Sequence, residues 1–391
     1  NKTRQHPRLG WPLTCRILGI HPSNSLHPMT ASPFMLKALN IASQAMRITS
    51  PNPRVGCVIV NDQGKILGQG HTQKAGGLHA EMVALQDAAN QGNSVEGATV
   101  YVTLEPCAHH GRTGPCCDAL IQAKVSKVVA ALTDPNPLVA GQGIDRLRAA
   151  GIEVEVGDSA HLAEQQNPGF LSRMKRHKPW VRLKMAASLD GQTALQNGQS
   201  QWITGPEARA DGHAWRARAC AVLSGIGTVL QGDPQLNVRA VHTPRQPDLV
   251  LIDSRLQTPL NAKLWNGQRR VVIFHAAHAP EKEKALTAKG ATLVCLGGPG
   301  DKVDLQAMVQ HLGQLNYNEV HVEAGHKLNG SLLNAGLIDE LLVYLAPLLT
   351  GPAQGMAALP ELTHLSDAQR WQFLQTTSIG TDLRLLLRRL R

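Results

Sequence analysis

Aromatic side chains are scarce in this chain, at 3% of its residues. A groove that stacks the bases of a single nucleic-acid strand needs a run of such rings, so their scarcity argues against that function. No stretch of about 18 consecutive apolar residues occurs, which argues against a bilayer-spanning helix, and no membrane partner is expected. The seven cysteines are an odd number, and no signal-peptide core precedes them. A secreted disulfide framework is therefore not expected, and a reducing, cytoplasmic setting is. Acidic residues are in deficit, 29 against 39 Lys and Arg, for a formal charge of +10. Such an excess suits anionic partners, either nucleic acid or phosphorylated small molecules. Residues 1–28 contain no acid and no Met, carry Lys2, Arg4, Arg8 and Arg16, and show no usable periodicity. They read as a basic extension ahead of a start at Met29, and without their four charges the chain stands at +6.

What remains is long enough for two domains, at roughly 150 residues each. Ser32-Pro33 supplies a cap and first residue for a helix through Arg47. Strand patterns (VGCVIV, ILGQG, ATVYVTL, KVVAAL, IEVEVG) then alternate with helical ones (HAEMVALQDAAN, CCDALIQAK, GIDRLRAAG). This predicts an α/β layer with mostly parallel pairing. A helical stretch from about Ser159 ends in a basic run at Lys178-Pro179, where the boundary is placed: a first domain over 29–176 and a second over 177–391. The second half alternates again, with strands at WVRLKMAAS, DLVLIDS, RVVIFH, ATLVCLG, EVHVEAG and DELLVYLAPLL. No G-x-G-x-x-G follows a strand, so the Rossmann fingerprint is missing.

The first half carries one chemical constellation, His79-Ala80-Glu81 at a helix start, followed by Pro106-Cys107 and then Cys116 at another helix start. One imidazole and two thiolates form a zinc set that leaves the fourth tetrahedral position to water, whose pKa zinc lowers toward neutrality. Glu81 lies too far round the helix to share the ion and is placed to carry protons as general acid and base. The pattern agrees with the H-x-E…P-C-x-x-C signature of zinc deaminases except that eight residues, AHHGRTGP, separate Cys107 from Cys116. Cys117 reads as a packed neighbour, and Cys15, Cys57, Cys220 and Cys295 as incidental. His71, His109, His110 and Arg112 are as well explained by solvated loops as by substrate contact.

That longer loop, with PNPRVGCVIV and GQGHTQKAGGLHAE before it, resembles the bifunctional deaminase/reductase family of riboflavin biosynthesis, and the resemblance runs from about Phe34 to the C-terminus. It implies a cytidine-deaminase-like zinc domain followed by a dihydrofolate-reductase-like α/β domain that uses NADPH. The stretches LKMAASLDGQTA, SQWITG, TVLQGDPQLNVR and VEAG…LNGSLL look like the family's reductase. Carried over by motif, Ala187, Trp202, Thr228 and Gly232 would lie along the cofactor, with a loop of Gly325, His326, Lys327, Leu328, Asn329, Gly330 and Ser331. Ser200, Arg216, Leu236, Arg239 and Glu323 would face substrate, the two arginines suiting a sugar phosphate. Asn52 resembles a position facing the substrate base; its plain reading is a turn residue. Gly232 stands where the family usually has Asp, so any contact from that side chain is lost. Lys184 and Asp190 are further candidates without an assigned role.

The implied reactions are hydrolytic deamination of 2,5-diamino-6-(5-phosphoribosylamino)pyrimidin-4(3H)-one at one zinc per chain, then NADPH-dependent reduction of the ribosyl to a ribityl side chain. A base deaminase fused to an RNA-binding domain is the competing enzyme reading, disfavoured by the long loop and the few aromatics. A zinc-stabilised scaffold is the non-enzymatic one, disfavoured by Glu81, which a structural zinc site does not need. The remaining expectations are phosphorylated pyrimidine substrates, no nucleic-acid partner and, from the general prevalence of two-fold symmetry, a homodimer.

Overall fold

A computed structural model describes residues 31–109, 114–137 and 139–390. The extension at 1–28, with Cys15, and the loop residues His110 and Arg112 lie outside the described residues.

Helix α1 (Pro33–Ser43) begins as its sequence dictates: Ser32 Oγ accepts the Phe34 N–H at 3.3 Å, and Pro33 occupies the first turn. It lies on a five-stranded sheet built from β1 (Gly56–Val60), β2 (Ile66–His71), β3 (Thr99–Val102), β4 (Lys127–Ala130) and β5 (Glu153–Val156), in the order β2-β1-β3-β4-β5. Strand β1 is buried throughout because helices cover both faces. Val58 and Val60 pack with Met35, Leu39 and Ala163 on one side; Cys57 and Ile59 pack with Ala80, Ala84, Leu120 and Leu147 on the other. The residues on this second side belong to α2 (Ala80–Asn90), α3 (Cys116–Gln122) and α4 (Gln142–Ala149). The expected mostly parallel pairing holds for β3-β4-β5 only; β1 runs antiparallel to both its neighbours, because β1 and β2 are joined by a tight turn at 61–65. Tight turns reverse a chain, whereas parallel pairing needs a crossover.

The helical stretch expected from Ser159 is two helices, α5 (Ala160–Gln166) and α6 (Pro168–Arg176). Pro168 disfavours helical geometry at the residue before it, and Asn167 sits at φ −121°, ψ 38°. Helix α6 packs on the second sheet, with Gly169 against the Asn318 backbone, while Phe170 joins the core of the first.

The second sheet has nine strands in the order β11-β10-β9-β8-β14-β6-β15-β18-β17. Its parallel part comprises β6 (Trp180–Ser188), β8 (Ala221–Gly225), β9 (Asp248–Ile252), β10 (Val271–His275), β11 (Ala291–Cys295), β14 (Glu319–Val322) and β15 (Glu340–Ala346). Strand β8 has no counterpart in the sequence reading, nor do β17 (Trp371–Ile379) and β18 (Asp382–Arg389), which close the sheet as an antiparallel hairpin on β15. Short two-stranded pieces, β7 (Gln192–Ala194) with β16 (Gln354–Gly355) and β12 (Gly297–Gly298) with β13 (Lys302–Val303), lie apart from it.

One face of the central strands is apolar, with Val181, Leu183, Val320, Val322, Leu341 and Val343 packed on α10 (Leu305–Gln314) and α11 (His326–Asn334). By the two-residue alternation of strands, the other face takes Arg182, Lys184, Glu319, His321 and Glu340, under α7 (Pro206–Arg218). Helices α8 (Ile226–Gly232) and α9 (Pro280–Ala288) cover the flank. Among the described residues, no helix is long and apolar enough to cross a membrane.

The contact of α1 with β1 is backbone on backbone: a Cβ at Gly56 would lie 1.9 Å from the Ala38 carbonyl oxygen. Gly56→Ala should therefore cost about 3 kcal/mol of stability. Gly212→Ala in α7, where an added Cβ meets nothing within 4 Å, should stabilise by about 0.5–1 kcal/mol through helix propensity. Thermal denaturation of the two variants checks the contrast, and equal melting points would contradict it.

Candidate active sites

Because β1 is antiparallel to β3 and β2, the start of β1 and the ends of β2 and β3 share one sheet edge. Thr103 continues past β3 and donates its N–H to the Gly56 carbonyl at 3.0 Å, and the chain then delivers Cys107 to this edge. Helices α2 and α3 start here too, bringing His79, at the cap position, and Cys116. His79 Nδ1 lies 3.5 Å from Cys107 Sγ and 3.4 Å from Cys116 Sγ, and all three donor atoms fall within 4.8 Å of one another. A tetrahedral zinc with ordinary bond lengths holds nitrogen and sulfur about 3.6 Å apart, so the donor set fits the ion in both chemistry and span.

The sulfurs are electrostatically unlike. The Cys116 thiol, the neighbouring His79 and the Cys116 backbone N–H, 3.3 Å away, bring the Cys107 thiol down to about 4 against its burial. The Cys107 sulfur, burial and the Glu81 charge push Cys116 up. His79 is raised, chiefly by its hydrogen bond with Cys107. Glu81, in the first turn of α2, is 3% exposed. Burial pushes its carboxyl up to about 7, against the pull of its own backbone N–H and with the Cys107 charge adding. A carboxyl so placed exchanges protons near neutrality, as an acid–base group must.

Two neighbours were not recognised from sequence. Glu105, two residues before Cys107, is buried, and its carboxylate accepts the N–H groups of Asp134, Gly141, Gly143 and Ile144 at 2.9, 3.0, 2.9 and 3.3 Å. It thus ties the Cys107 segment to the start of α4. Cys57, read as incidental, lies fully buried in β1 close enough to Glu81 for burial and that charge to raise its thiol. Cys117 is a packed core residue, as read. His71 Nδ1 lies 3.0 Å from its neighbour's carbonyl at Thr72, and His109 is exposed. Asn52 closes a turn, its N–H on the Thr49 carbonyl at 2.8 Å.

In the second half Ala187 lies near the end of β6, Thr228 just after β8, and Glu323 and Gly325 just after β14, at the carboxyl ends of strands where ligands of parallel sheets bind. The segment expected as a loop at 325–331 is mostly helix: Gly325 caps α11, which begins at His326. A Cβ on Gly325 would stand 4.0 Å from Thr228 Oγ1, and one on Gly227 would meet nothing within 4 Å, so Thr228 lies beside the start of α11 and Gly227 and Gly325 leave space at the two helix starts. Backbone N–H groups at such a place suit a cofactor phosphate, which fits NADPH. Not all of the segment faces it. Asn329 donates to the Met356 carbonyl at 2.9 Å, Gly330 is packed on Ala358, and the Ser331 hydroxyl bonds the Lys327 carbonyl at 3.0 Å. Lys327 and Leu328 lie in the first turn, Leu328 against Gly225. Gly232 ends α8, and the next residue, Asp233, accepts the Lys263 N–H at 2.8 Å.

Trp202, 65% exposed, and Ser200 line a pocket with Gln192, Ala194, Leu348 and Thr350. Ala187 is buried in β6 opposite Leu345. The fork of Arg216, expected on phosphate, closes on Glu323, Nε–Oε1 at 2.7 Å and Nη2–Oε2 at 2.8 Å, and Nη1 donates to the Asn237 carbonyl. Arg239 is exposed and reaches Asn237 Oδ1 at 3.2 Å; its N–H meets His213 Nδ1 at 3.3 Å. Leu236, at φ 51°, offers its carbonyl to Arg269. Burial, with the Arg216 charge adding and the Glu323 charge opposing, lowers the Lys184 ammonium, whose Nζ lies 5.8 Å from the Tyr344 ring centre. Asp190 does a structural task, accepting the Ser188 hydroxyl and the Thr350 and Gly351 N–H groups. His213 and His321, also missed from sequence, are lowered by burial, His213 to about 4.

Residues 29–132 match the family described as cytidine and deoxycytidylate deaminase zinc-binding region, and residues 179–385 match the RibD C-terminal domain. The riboflavin biosynthesis protein RibD of Escherichia coli K12 is 44% identical over 365 residues, covering 90% of this chain and 98% of that one. The RibD of Aquifex aeolicus is 38% identical, with 91% and 98% covered. Among solved structures, Acinetobacter baumannii RibD superposes with a TM-score of 0.84 at 42% identity over 92% of this chain and 98% of that one. A Thermotoga maritima diaminohydroxyphosphoribosylaminopyrimidine deaminase/5-amino-6-(5-phosphoribosylamino)uracil reductase gives 0.81 at 29% identity, with 91% and 98% covered. The relatedness spans both sites and nearly the full length of each relative, so the chain belongs to the RibD family, the bifunctional zinc-domain deaminases and NADPH-dependent reductases of riboflavin biosynthesis.

Proposed function

We propose that residues 29–176 deaminate 2,5-diamino-6-(5-phosphoribosylamino)pyrimidin-4(3H)-one and that residues 177–391 then reduce the ribosyl group of the product to ribityl. The observation that carries the reading is the His79, Cys107 and Cys116 donor set, spaced for one zinc, beside the buried Glu81. When bound, zinc supplies a Lewis acid with an activated water, and NADPH supplies a hydride equivalent. Glu81 takes a proton from the attacking water, gives it to the ring nitrogen and passes a proton to the departing amine. Glu105 keeps the Cys107 segment in place through its four accepted N–H groups.

In the reductase half, Arg216 is committed to Glu323, so the pair orients the sugar hydroxyls while the exposed Arg239 takes the phosphate. Ala187, Thr228, Gly232 and the first turn of α11 hold NADPH against the sheet edge, with Trp202 and Ser200 closing the pocket beside it. Lys184, on the same edge, polarises the sugar carbon's oxygen. The phosphorylated substrate and cofactor account for the positive charge, so no nucleic-acid or membrane partner is invoked, and the expected form is a cytoplasmic homodimer.

Glu81→Gln should lower ammonia release by about a hundredfold or more, and a zinc chelator should abolish it; both should leave reduction of separately prepared deaminated substrate intact. Ammonia release surviving either treatment would sink the assignment. Arg239→Ala should raise KM for the deaminated substrate about tenfold or more through loss of a charge-assisted phosphate contact, with deamination unaltered. Steady-state NADPH oxidation measures it, and an unchanged KM would remove Arg239 from the site.

A further inference from the structure

Among the contacts between the two halves, those of one short segment bear on the first site. Residues 50–54 lead into β1 at the end of the first sheet where His79, Cys107 and Cys116 gather, so the topology puts the segment on the same side of that sheet as the donor set. Their polar groups are met from outside that sheet. The Pro51 carbonyl accepts Asn318 Nδ2 at 2.9 Å and Arg173 Nη2 at 3.0 Å. Ser50 Oγ lies 2.8 Å from Cys220 Sγ. The Arg54 N–H and carbonyl both pair with the Asn167 amide at 2.8 Å, and its guanidinium reaches the Gln166 carbonyl at 2.9 Å and Glu319 Oε1 at 2.7 Å.

The anchors on the reductase side are themselves fixed. Asn318 immediately precedes β14; its N–H donates to Cys220 Sγ at 3.2 Å, its backbone carbonyl accepts from Trp180, and its Oδ1 accepts Arg173 Nε at 2.7 Å. Asn318 and Glu319 are 7% and 1% exposed. The Asn318 and Glu319 ends of these bonds are covered, so exchanging the bonds for water is costly. A segment released from them would have to be ordered by the substrate, and the cost would fall on binding.

We propose that Asn318 and Glu319, residues of the reductase half, are positioning residues for deamination, holding 50–54 in the shape that receives the pyrimidine. The deaminase site is then incomplete without the reductase sheet, and the fusion of the two halves serves catalysis in the first.

The inference rests on the deaminase reading above and is tested on the full chain with Asn318→Asp, which keeps the oxygen facing Arg173 Nε and removes the donor to Pro51. KM for deamination should rise about tenfold, the factor typical of one lost buried hydrogen bond. The corresponding kcat, the zinc content and the reduction of prepared deaminated substrate should stay near those of the unaltered protein. Cys220→Ala, which removes the sulfur that meets both Ser50 Oγ and the Asn318 N–H, should show the same selectivity and decides the matter if Asn318→Asp does not fold. Unchanged deamination in the folded variants, or deamination and reduction declining together, overturns the proposal. Failure of the unaltered chain to release ammonia would instead defeat the deaminase reading, and the proposal with it.

Discussion

Glu319, at the start of the central strand β14, accepts three guanidinium groups: Arg54 at 2.7 Å, Arg182 at 3.0 Å and Arg218 at 2.7 Å. Burial opposes its charge, yet the three arginines hold its carboxyl well below the usual range. Burial also brings Arg218 down to about 10, which still leaves it charged at neutral pH. Arg182 has a second carboxylate, Glu340, and the Trp215 ring lies under Arg182, Arg218 and Arg384 at 4.5, 5.3 and 5.7 Å. Removing one member of such a cluster strands buried charge, which typically costs about 3–5 kcal/mol. Arg54 belongs to the first half and the rest to the second, so the docking of the halves is tied to the charge balance inside the larger sheet.

From that point the polar face of β14 runs outward. Glu319, His321 and Glu323 follow at intervals of two, the spacing that keeps side chains on one side of a strand. Glu319 meets Arg54 of the first half at one end, and Glu323 meets Arg216 at the other. Each half builds its site where strands end and helices begin, and that placement supplies unpaired backbone N–H groups and short, well-anchored loops. The halves differ in what they must do there. The first gathers soft donors and a buried acid, and the second leaves a glycine-lined opening beside fixed charges.

Much of this was legible in the residues. His79, Glu81, Cys107 and Cys116 stand out because their types and spacing serve one chemistry, and helix starts at His79 and Cys116 follow from local pattern. Strands such as Trp180–Ser188 were readable from their apolar content. The hairpin of β17 and β18 was not, since Leu385 to Leu387 break the alternation and Arg388 and Arg389 mimic a basic tail; its signal was the turn at Gly380, φ 60°. The roles of Glu105, Cys57 and Cys220 were invisible for another reason. Each depends on partners 24 or more positions distant, brought near only by the sheet. The engagement of Arg216 by Glu323 likewise spans 107 positions, and it occupies a guanidinium fork expected on phosphate.

The central claim is that one chain performs two reactions in a fixed order, hydrolysis first. It is tested most directly by following ammonia release and NADPH oxidation together, from the diamino substrate, on purified protein. The account predicts equal final amounts of both, with NADPH oxidation lagging behind ammonia and absent from zinc-stripped protein until zinc is restored. Oxidation of NADPH by zinc-stripped protein with the diamino substrate would contradict it.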